Sequence, residues 1–290
     1  MNRPASSYAD PRSTPPVAVS PSPQDAYPPA QIALLVEQVG VKKAALPAIQ
    51  TLALGLLAGA FIAFGAMYFT LVMTGSPLGF GPSRMVGGLA FSLGLILVVV
   101  GGAELFTGNN LIVMAWAERK VTTTQLARNW ALVYLANLVG ALGTALMVHW
   151  SGTLALGDGA VAATAARIAE AKVALPFGEA FFRGILCNTL VCLAVWLCFA
   201  AHDVVSKVLA ILFPISAFVA LGFEHSVANM YLIPIGWLAG GEAVTPAGIL
   251  ANLVPVTLGN IVGGGVFVAA VYWLVYLNFG ARQTGADSDV

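Results

Sequence analysis

Six apolar stretches, each long enough to cross a lipid bilayer, constrain the fold of this chain more than any other feature. They lie near residues 46–73, 83–116, 125–150, 177–201, 206–239 and 247–278. A helix needs about 20 apolar residues to span the hydrocarbon core. Only 9% of the residues are charged, whereas soluble domains carry about 25%. The sequence therefore predicts an all-α integral membrane protein with six transmembrane helices.

The two ends of the chain differ in composition from its centre. Residues 1–30 hold eight of the 16 prolines and no apolar core, which predicts a disordered cytoplasmic tail. Residues 31–44 have the pattern of a short amphipathic helix that lies at the membrane surface. The six-helix transmembrane domain then covers 45–279, and 280–290 form a second cytoplasmic tail.

The distribution of Lys and Arg predicts the orientation in the membrane. Cytoplasmic loops carry an excess of these residues, and placing both termini inside leaves nine of the thirteen on that side. The other four, on the outer side, are Arg84, Arg167, Lys172 and Arg183. Both termini are therefore expected to be cytoplasmic. A net charge of zero argues against a nucleic-acid partner.

An internal repeat links the two halves of the chain. The second and fifth stretches are interrupted by "GAELFTGNN" (102–110) and "GFEHSVANM" (222–230), which share the pattern Gly-x-Glu-x4-Asn. The third and sixth stretches share Asn, seven residues, then Asn-(Leu/Ile)-Val-Gly, in "NWALVYLANLVG" (129–140) and "NLVPVTLGNIVG" (252–263). Three crossings reverse the side of the membrane, so the halves form an inverted 3+3 repeat. Helices two and five would then be broken near the midplane, where unwound backbone lines a pore or binding site.

Each interruption carries an acid that is costly inside a bilayer. We expect Glu104 and Glu224 to cap the amide groups freed at the start of each broken helix. His225 has no counterpart, because Leu105 occupies the matching position. A titratable group without a counterpart at a symmetric site is the better functional candidate. The alternative is that His225 only hydrogen-bonds the backbone.

Three stretches carry a family resemblance: "VVVGGAELFTG" (98–108), "GILCNTLVCLAVW" (184–196) and "FPISAFVALGFEHSVANMYLIP" (213–234). They resemble the signature segments of the formate/nitrite transporter family, and the similarity covers about 31–279. The resemblance implies an aquaporin-like protomer fold and assembly as a homopentamer. It also implies location in the bacterial cytoplasmic (inner) membrane, in contact with membrane lipids. It also implies transport of small monovalent anions with protons. Formate is the expected substrate, and nitrite, hydrosulfide or a short carboxylate is the alternative.

The resemblance also implies roles for particular residues. His225 is the central histidine, and Thr107 is the threonine that hydrogen-bonds it. Phe91, Leu95 and Phe218 match the apolar residues that narrow the pore on either side, and Lys172 matches a lysine that attracts anions in the outer vestibule. The remaining pathway residues are Asn188, Asn229 and Glu224, and those expected to support the helix breaks are Gly102, Glu104, Gly108, Asn109 and Gly222.

A physical argument fits these roles. A bare anion must lose most of its hydration to pass apolar constrictions, whereas its conjugate acid crosses more cheaply. Formic acid has a pKa of about 4, so little of it is neutral at pH 7. Desolvation raises the pKa of a carboxylic acid, and a central histidine would help the anion take up a proton. Whether the histidine gives the proton or only polarises the anion stays open.

Two other classes of membrane protein fit the sequence less well. A water or glycerol channel would share the repeat, but the Asn-Pro-Ala pair typical of such channels is absent from the sequence. A membrane enzyme would need a set of nucleophile, base or metal ligands, which one intramembrane histidine does not supply. Cys187, Cys192 and Cys198 match no metal or redox spacing. We therefore expect no enzymatic activity, no metal and no cofactor.

Overall fold

The computed structural model describes residues 26–279, and throughout this range the backbone is helical or forms short connections. Residues 1–25 of the predicted N-terminal tail and the predicted tail 280–290 lie outside the described residues. Within the described range the α-helices are α1 (Pro29–Ala45), α2 (Ala48–Met73), α3 (Phe80–Gly101), α4 (Val113–Ala117), α5 (Thr123–Trp150), α6 (Ala160–Val173), α7 (Phe177–Ala200), α8 (Val204–Ala220), α9 (Ser226–Leu238) and α10 (Pro246–Ile261). Short 3-10 helices cover Gly108–Ile112 and Thr153–Ala155, and π-helical backbone continues α10 through Val262–Ala270 and Trp273–Phe279.

Several of these helices are long and apolar enough to cross a membrane. In the described range there are five: α2, α3, α5, α7 and the continuous segment Pro246–Phe279, with mean hydropathy between 1.8 and 2.0. The apolar helices α8 and α9 are shorter, at 17 and 13 residues. The chain is thus an all-helical, multi-pass membrane protein.

Both interruptions predicted from the sequence are present as breaks in helices. Helix α3 ends at Gly101, and Gly102 follows with φ of 80°. Helix α8 ends at Ala220, and Gly222 follows with φ of 74°. A side chain would strain the backbone in this left-handed region, so glycine is the residue that lets a helix end there. After each glycine the chain runs without helix to the 3-10 helix at Gly108 or to the start of α9 at Ser226.

The long helices pack in matching pairs, α2 against α5 and α7 against α10, while α3 packs against α8. In the first pair, Gly59 lies so close to the Asn137 carbonyl that a Cβ atom would overlap it. In the second pair, Gly259 lies equally close to the Phe181 carbonyl. Glycine thus allows the backbones to touch in both pairs. These contacts place α5 against α2 and α10 against α7, and α5 and α10 are the helices that carry the repeated asparagines.

Helix α6 was not predicted from the sequence. Its buried residues are Val161, Thr164, Ala165 and Ala169, a helical spacing that small residues make hard to see. The predicted helix at 31–44 is present as α1, whose buried Ile32 and Val36 pack with residues of α4 and α7. The location of α1 at the membrane surface stays a prediction.

Candidate functional site

The first helix break carries a buried ionic cluster. Lys43 on α1 donates from Nζ to Oε1 of Glu104 at 2.6 Å and to Oδ1 of Asn109 at 3.1 Å. Asn109 in turn donates from Nδ2 to Oε2 of Glu104 at 2.7 Å and to Oδ1 of Asn129 at 2.9 Å. Asn129 donates to the Lys43 carbonyl at 3.1 Å. The cluster therefore ties α1 and α5 to the break.

The second break repeats this cluster residue for residue. Lys172 on α6 lies 2.8 Å from Oε1 of Glu224. Asn229 donates to Oε2 of Glu224 at 2.6 Å and to Asn252 at 2.7 Å, and Asn252 donates to the Lys172 carbonyl at 2.8 Å. Helix α6 is thus the counterpart of α1. The sequence pattern located both glutamates and both asparagines, but it did not reveal Lys43, or that Lys172 is ion-paired.

Two further asparagines hold the non-helical backbone at each break. Asn137 donates to the carbonyls of Gly55 and Glu104 at 2.7 and 2.9 Å and accepts from the Phe106 amide at 2.9 Å. Asn260 makes the matching three bonds, donating to the carbonyls of Gly184 and Glu224 and accepting from the Ser226 amide. Buried amides and carbonyls need partners. Asn137 and Asn260, each the second asparagine of the repeated Asn-x7-Asn pattern, supply these partners.

The prediction that Glu104 and Glu224 cap the broken helices was wrong. Both carboxylates bond Lys and Asn side chains instead. The residue that caps α9 is His225, whose Nδ1 accepts from the Ala228 amide at 3.0 Å. A lysine ammonium, which the local sequence around the breaks did not reveal, satisfies each buried acid better than backbone amides would.

The other nitrogen of His225 faces the opposite break. Its Nε2 lies 2.9 Å from Oγ1 of Thr107, a residue with no exposed surface. Because Nδ1 accepts the Ala228 amide, the neutral ring must carry its hydrogen on Nε2 and donate it to Thr107. The Thr107 hydroxyl hydrogen is then left to donate elsewhere. The structure thus joins the two residues that the resemblance paired.

Apolar side chains enclose this pair. The Phe218 ring stacks on the His225 ring with centroids 5.9 Å apart, and the Phe91 ring meets Phe218 edge-on at 5.6 Å. Leu95 lies one helical turn beyond Phe91 on α3 and is also buried.

One cavity lies at each helix break. The Lys43 cavity, about 330 Å³, is lined by Lys43, Glu104 and Leu95 among others. The Lys172 cavity, about 340 Å³, is lined by Lys172, Glu224, His225, Phe91 and Phe218 among others. In the part of the chain that the structure describes, no residue lines both cavities. The two cavities are therefore distinct, and buried Leu95 lines the first whereas buried Phe91 and Phe218 line the second.

The remaining predicted residues lie at the breaks, and all of them except Asn188 line one of the two cavities. Asn188 is fully buried and donates from Nδ2 to the Thr107 carbonyl at 3.2 Å, to Oδ1 of Asn110 and to the Asn260 carbonyl, both at 2.7 Å. It thereby fixes the Thr107 backbone. Gly108 begins the 3-10 helix and lines the Lys43 cavity, together with Gly102 and Asn109. Gly222 and Asn229 line the Lys172 cavity.

Arg84 was not singled out from the sequence as a site residue. It donates from Nη2 to the Val219 carbonyl at 2.7 Å and from Nε to the Ala220 carbonyl at 3.1 Å. These are carbonyls at the end of α8, where a cation interacts favourably with the helix dipole. Among residues 26–279, no group of three or more His, Cys, Asp or Glu side chains is placed to hold a metal ion.

Comparisons with known proteins identify relatives along most of the chain. The family described as formate/nitrite transporter matches residues 30–274. The formate channel FocA of Escherichia coli (strain K12) is 41% identical over 275 residues, which cover 88% of this chain and 96% of FocA. A probable formate transporter of Methanothermobacter thermautotrophicus is 40% identical, covering 86% of this chain and 97% of its own length. A solved structure titled pentameric formate channel with formate bound is 39% identical, with a TM-score of 0.74, covering 79% of this chain and 98% of that one.

Proposed function

Because the chain belongs to the formate/nitrite transporter family, we propose that it moves small monovalent anions across a membrane, with formate as its main substrate. The observation that carries this proposal is the Thr107–His225 hydrogen bond, which joins the two helix breaks among buried apolar side chains, with a separate cavity at each break. Relatives named as formate channels or transporters favour formate. Nitrite is the second candidate, since the family's description includes it.

The proposed architecture is an inverted repeat of six crossings around this pair. We count α2, α3 with its break, α5, α7, α8 with α9, and the segment that begins at α10. The matched clusters at Glu104 and Glu224 support the repeat, because equivalent Lys, Glu and Asn side chains make most of the same bonds in each half. In this arrangement both termini face the cytoplasm of a bacterium, the Lys43 cavity opens inward and the Lys172 cavity opens outward.

The apolar side chains set the barrier that the site must overcome. Phe91, Phe218 and Leu95 offer no hydrogen bonds, so an anion that passes them loses solvation it cannot replace there. The neutral acid loses far less. A pathway of this kind conducts when the anion takes up a proton beside His225 and gives it back to water in the opposite cavity.

The proposed proton path runs through His225 and Thr107. The ring takes a proton from solvent at Nδ1 as the bond to Ala228 opens, which gives an imidazolium with hydrogens on both nitrogens. Its Nε2 proton then moves to Oγ1 of Thr107 while the Thr107 hydroxyl hydrogen moves to an oxygen of the anion. The ring ends neutral, and the anion has become the neutral acid. Nε2 then takes a proton from the Lys172 cavity while Nδ1 releases its own, so the ring accepts the Ala228 amide again and one proton has passed from solvent to the anion.

A flux assay in proteoliposomes tests the proposed function. Formate, nitrite and glycerol would be offered separately to purified protein, with protein-free liposomes as the control. We expect uptake of formate, slower uptake of nitrite and no uptake of glycerol above the control. Glycerol permeation without formate permeation would instead indicate a neutral-solute channel, and the proposal would be abandoned.

We further propose that five protomers assemble, each with its own pathway. The support is the solved relative titled as pentameric, which shares 39% of its residues with this chain. Many large apolar side chains on the described helices are exposed to the outside of the protomer, including Phe80, Phe182 and Phe213. Neighbouring protomers and lipid tails are the surroundings that suit such a surface.

A further inference from the structure

The Lys172 cavity contains an excess of cationic side chains over acids. Four cations line it, namely Arg84, Arg167, Lys172 and Arg183, whereas Glu224 is its single acid among the described residues. Such an excess raises the local concentration of anions. The resemblance assigned this task to Lys172. Its ammonium, however, lies 2.8 Å from the Glu224 carboxylate and is only 15% exposed.

Two of the other cations are also engaged. The Arg84 guanidinium donates to two backbone carbonyls at the end of α8. Arg183 forms an ion pair with Glu179 at 2.9 Å, one turn earlier on α7. The positive charges of Lys172 and Arg183 are therefore largely balanced by acids, and two of the five N–H donors of Arg84 hold its guanidinium against the end of α8.

Arg167 differs from Lys172 and Arg183, which pair with acids, and from Arg84, which is held by two backbone carbonyls. It is exposed on α6, and in the described part of the chain no carboxylate lies within salt-bridge distance of its guanidinium. Nη2 donates to Oγ1 of Thr164 at 3.1 Å, and Thr164 is buried, so one edge of the guanidinium is anchored. A guanidinium has five N–H donors in a planar fork. The remaining donors are free to bind a ligand.

Arg167 also lies on the face of α6 that leads to the pathway. Thr164, Arg167, Ile168, Ala171 and Lys172 all line the same cavity, which is the spacing of one helical face. Lys172 is five positions after Arg167, a rise of about 7.5 Å along the helix axis. Arg167 is therefore the more solvent-exposed of two cationic positions on a single route.

We propose that Arg167 forms an entrance subsite that binds the carboxylate of the substrate before it reaches the Lys172–Glu224 pair. A planar fork matches the two oxygens of a carboxylate and can bind both at once, which a lysine ammonium cannot do. The subsite takes small carboxylates as its ligand class. This inference rests on the proposed function, which it deepens by naming the first group that binds the substrate.

Three variants test the subsite in proteoliposomes. Arg167→Gln removes the charge and the fork, and Arg167→Lys keeps the charge but removes the fork. Arg183→Gln is the matched control, because it removes a cation of the same cavity that is already paired. Initial formate uptake would be measured against formate concentration for each variant, after its oligomer size is compared with wild type by gel filtration.

We expect Arg167→Gln to raise the half-saturating formate concentration about three- to tenfold at unchanged maximal rate, since the barrier at Thr107 and His225 is untouched. Arg167→Lys should reverse less than half of this rise in the half-saturating concentration. Arg183→Gln should change the half-saturating concentration less than twofold. Unchanged half-saturation in Arg167→Gln, or wild-type behaviour of Arg167→Lys, would overturn the subsite.

A binding measurement separates this inference from the proposed function. The line width of ¹³C-formate would be followed by NMR with wild-type protein, Arg167→Gln and Arg183→Gln in nanodiscs. Broadening that is lost only in Arg167→Gln supports the subsite even if wild type moves no formate. Broadening of equal size in all three proteins contradicts it, whatever the transport assay gives.

Discussion

Thr107 and His225 are 118 residues apart in the chain, yet Oγ1 of the threonine and Nε2 of the histidine lie 2.9 Å apart. Each stands in the non-helical segment of a different helix break. Asn137 and Asn260 hold these two segments through their backbone carbonyls and amides. The contact therefore depends on both halves of the chain. The asparagines that hold the two segments are equivalent, whereas the side chains that meet, a threonine and a histidine, are not.

The Thr107 hydroxyl is expected to be essential for transport. Thr107→Val keeps the shape of the side chain but removes the hydroxyl, so the proton path is broken and formate uptake should fall at least tenfold. Thr107→Ser keeps the hydroxyl and should retain most of the uptake. Uptake would be measured in proteoliposomes of equal protein content. Equal activity of the Val and Ser variants would show that the hydroxyl takes no part.

The Lys172–Glu224 pair is expected to contribute mainly to stability. Removing one member of a buried ion pair leaves an uncompensated charge, at a cost of about 3–5 kcal/mol. Lys172→Ala should therefore lower the thermal stability of the solubilised protein, and adding Glu224→Gln should recover a large part of it. The equivalent variants at Lys43 and Glu104 should behave alike, because the two clusters match.

Salt provides the outcome that would contradict this interpretation. A buried pair is little affected by screening, whereas attraction of anions by an exposed charge weakens at high ionic strength. If Lys172→Ala leaves stability unchanged and lowers formate uptake only at low salt, then Lys172 attracts anions as the resemblance implied.

The backbone-binding asparagines are expected to be structural in both halves. Each of Asn137 and Asn260 satisfies two carbonyls and one amide that are buried. An unsatisfied buried group costs about 1–3 kcal/mol, so Asn260→Leu and Asn137→Leu should each lower the yield of folded protein severely. Fluorescence-detected gel filtration would measure this yield. A well-folded Asn260→Leu oligomer would show that the break does not need these bonds.

The sequence predicted the helix breaks well because their signals are local. Gly102 and Gly222 have the positive φ that glycine allows, and the Asn-x7-Asn pattern located Asn129, Asn137, Asn252 and Asn260. The partners of Glu104 and Glu224 could not be predicted in the same way. Lys43 is 61 residues from Glu104, and no local pattern indicates which distant lysine reaches a buried acid.

Helix α6 was missed for a different reason. Alanine and threonine form much of its buried face, and such small side chains give a weak periodic signal. The resemblance paired Thr107 with His225, but it did not indicate that His225 caps α9 through Nδ1. That bond determines which nitrogen carries the hydrogen, and it requires the folded backbone to be seen.

Assembly can be tested by mass. Native mass spectrometry of the purified protein should give about five times the 29.9 kDa protomer, if this chain assembles as its solved relative does. Asp203→Ala offers a control outside the pathway, since the Asp203 side chain accepts from the Ser206 amide at the start of α8. It should leave the mass unchanged. A stable dimer or trimer of wild type would remove the pentamer proposal.

The central claim is that His225 supplies, through Thr107, the proton that the transported anion receives, and His225→Asn tests it most directly. Asparagine is a favoured N-cap residue, so α9 should still begin at Ser226 and the oligomer should persist, but an amide side chain cannot titrate. Formate uptake and internal pH would be recorded together in proteoliposomes between pH 5 and 8, with His149→Asn as the matched control. We expect wild type and the control to acidify the lumen in proportion to the formate moved, and His225→Asn to lose at least nine-tenths of this coupled uptake. Unchanged acidification per formate in His225→Asn, at an undiminished rate, would contradict the account and leave His225 as a structural cap.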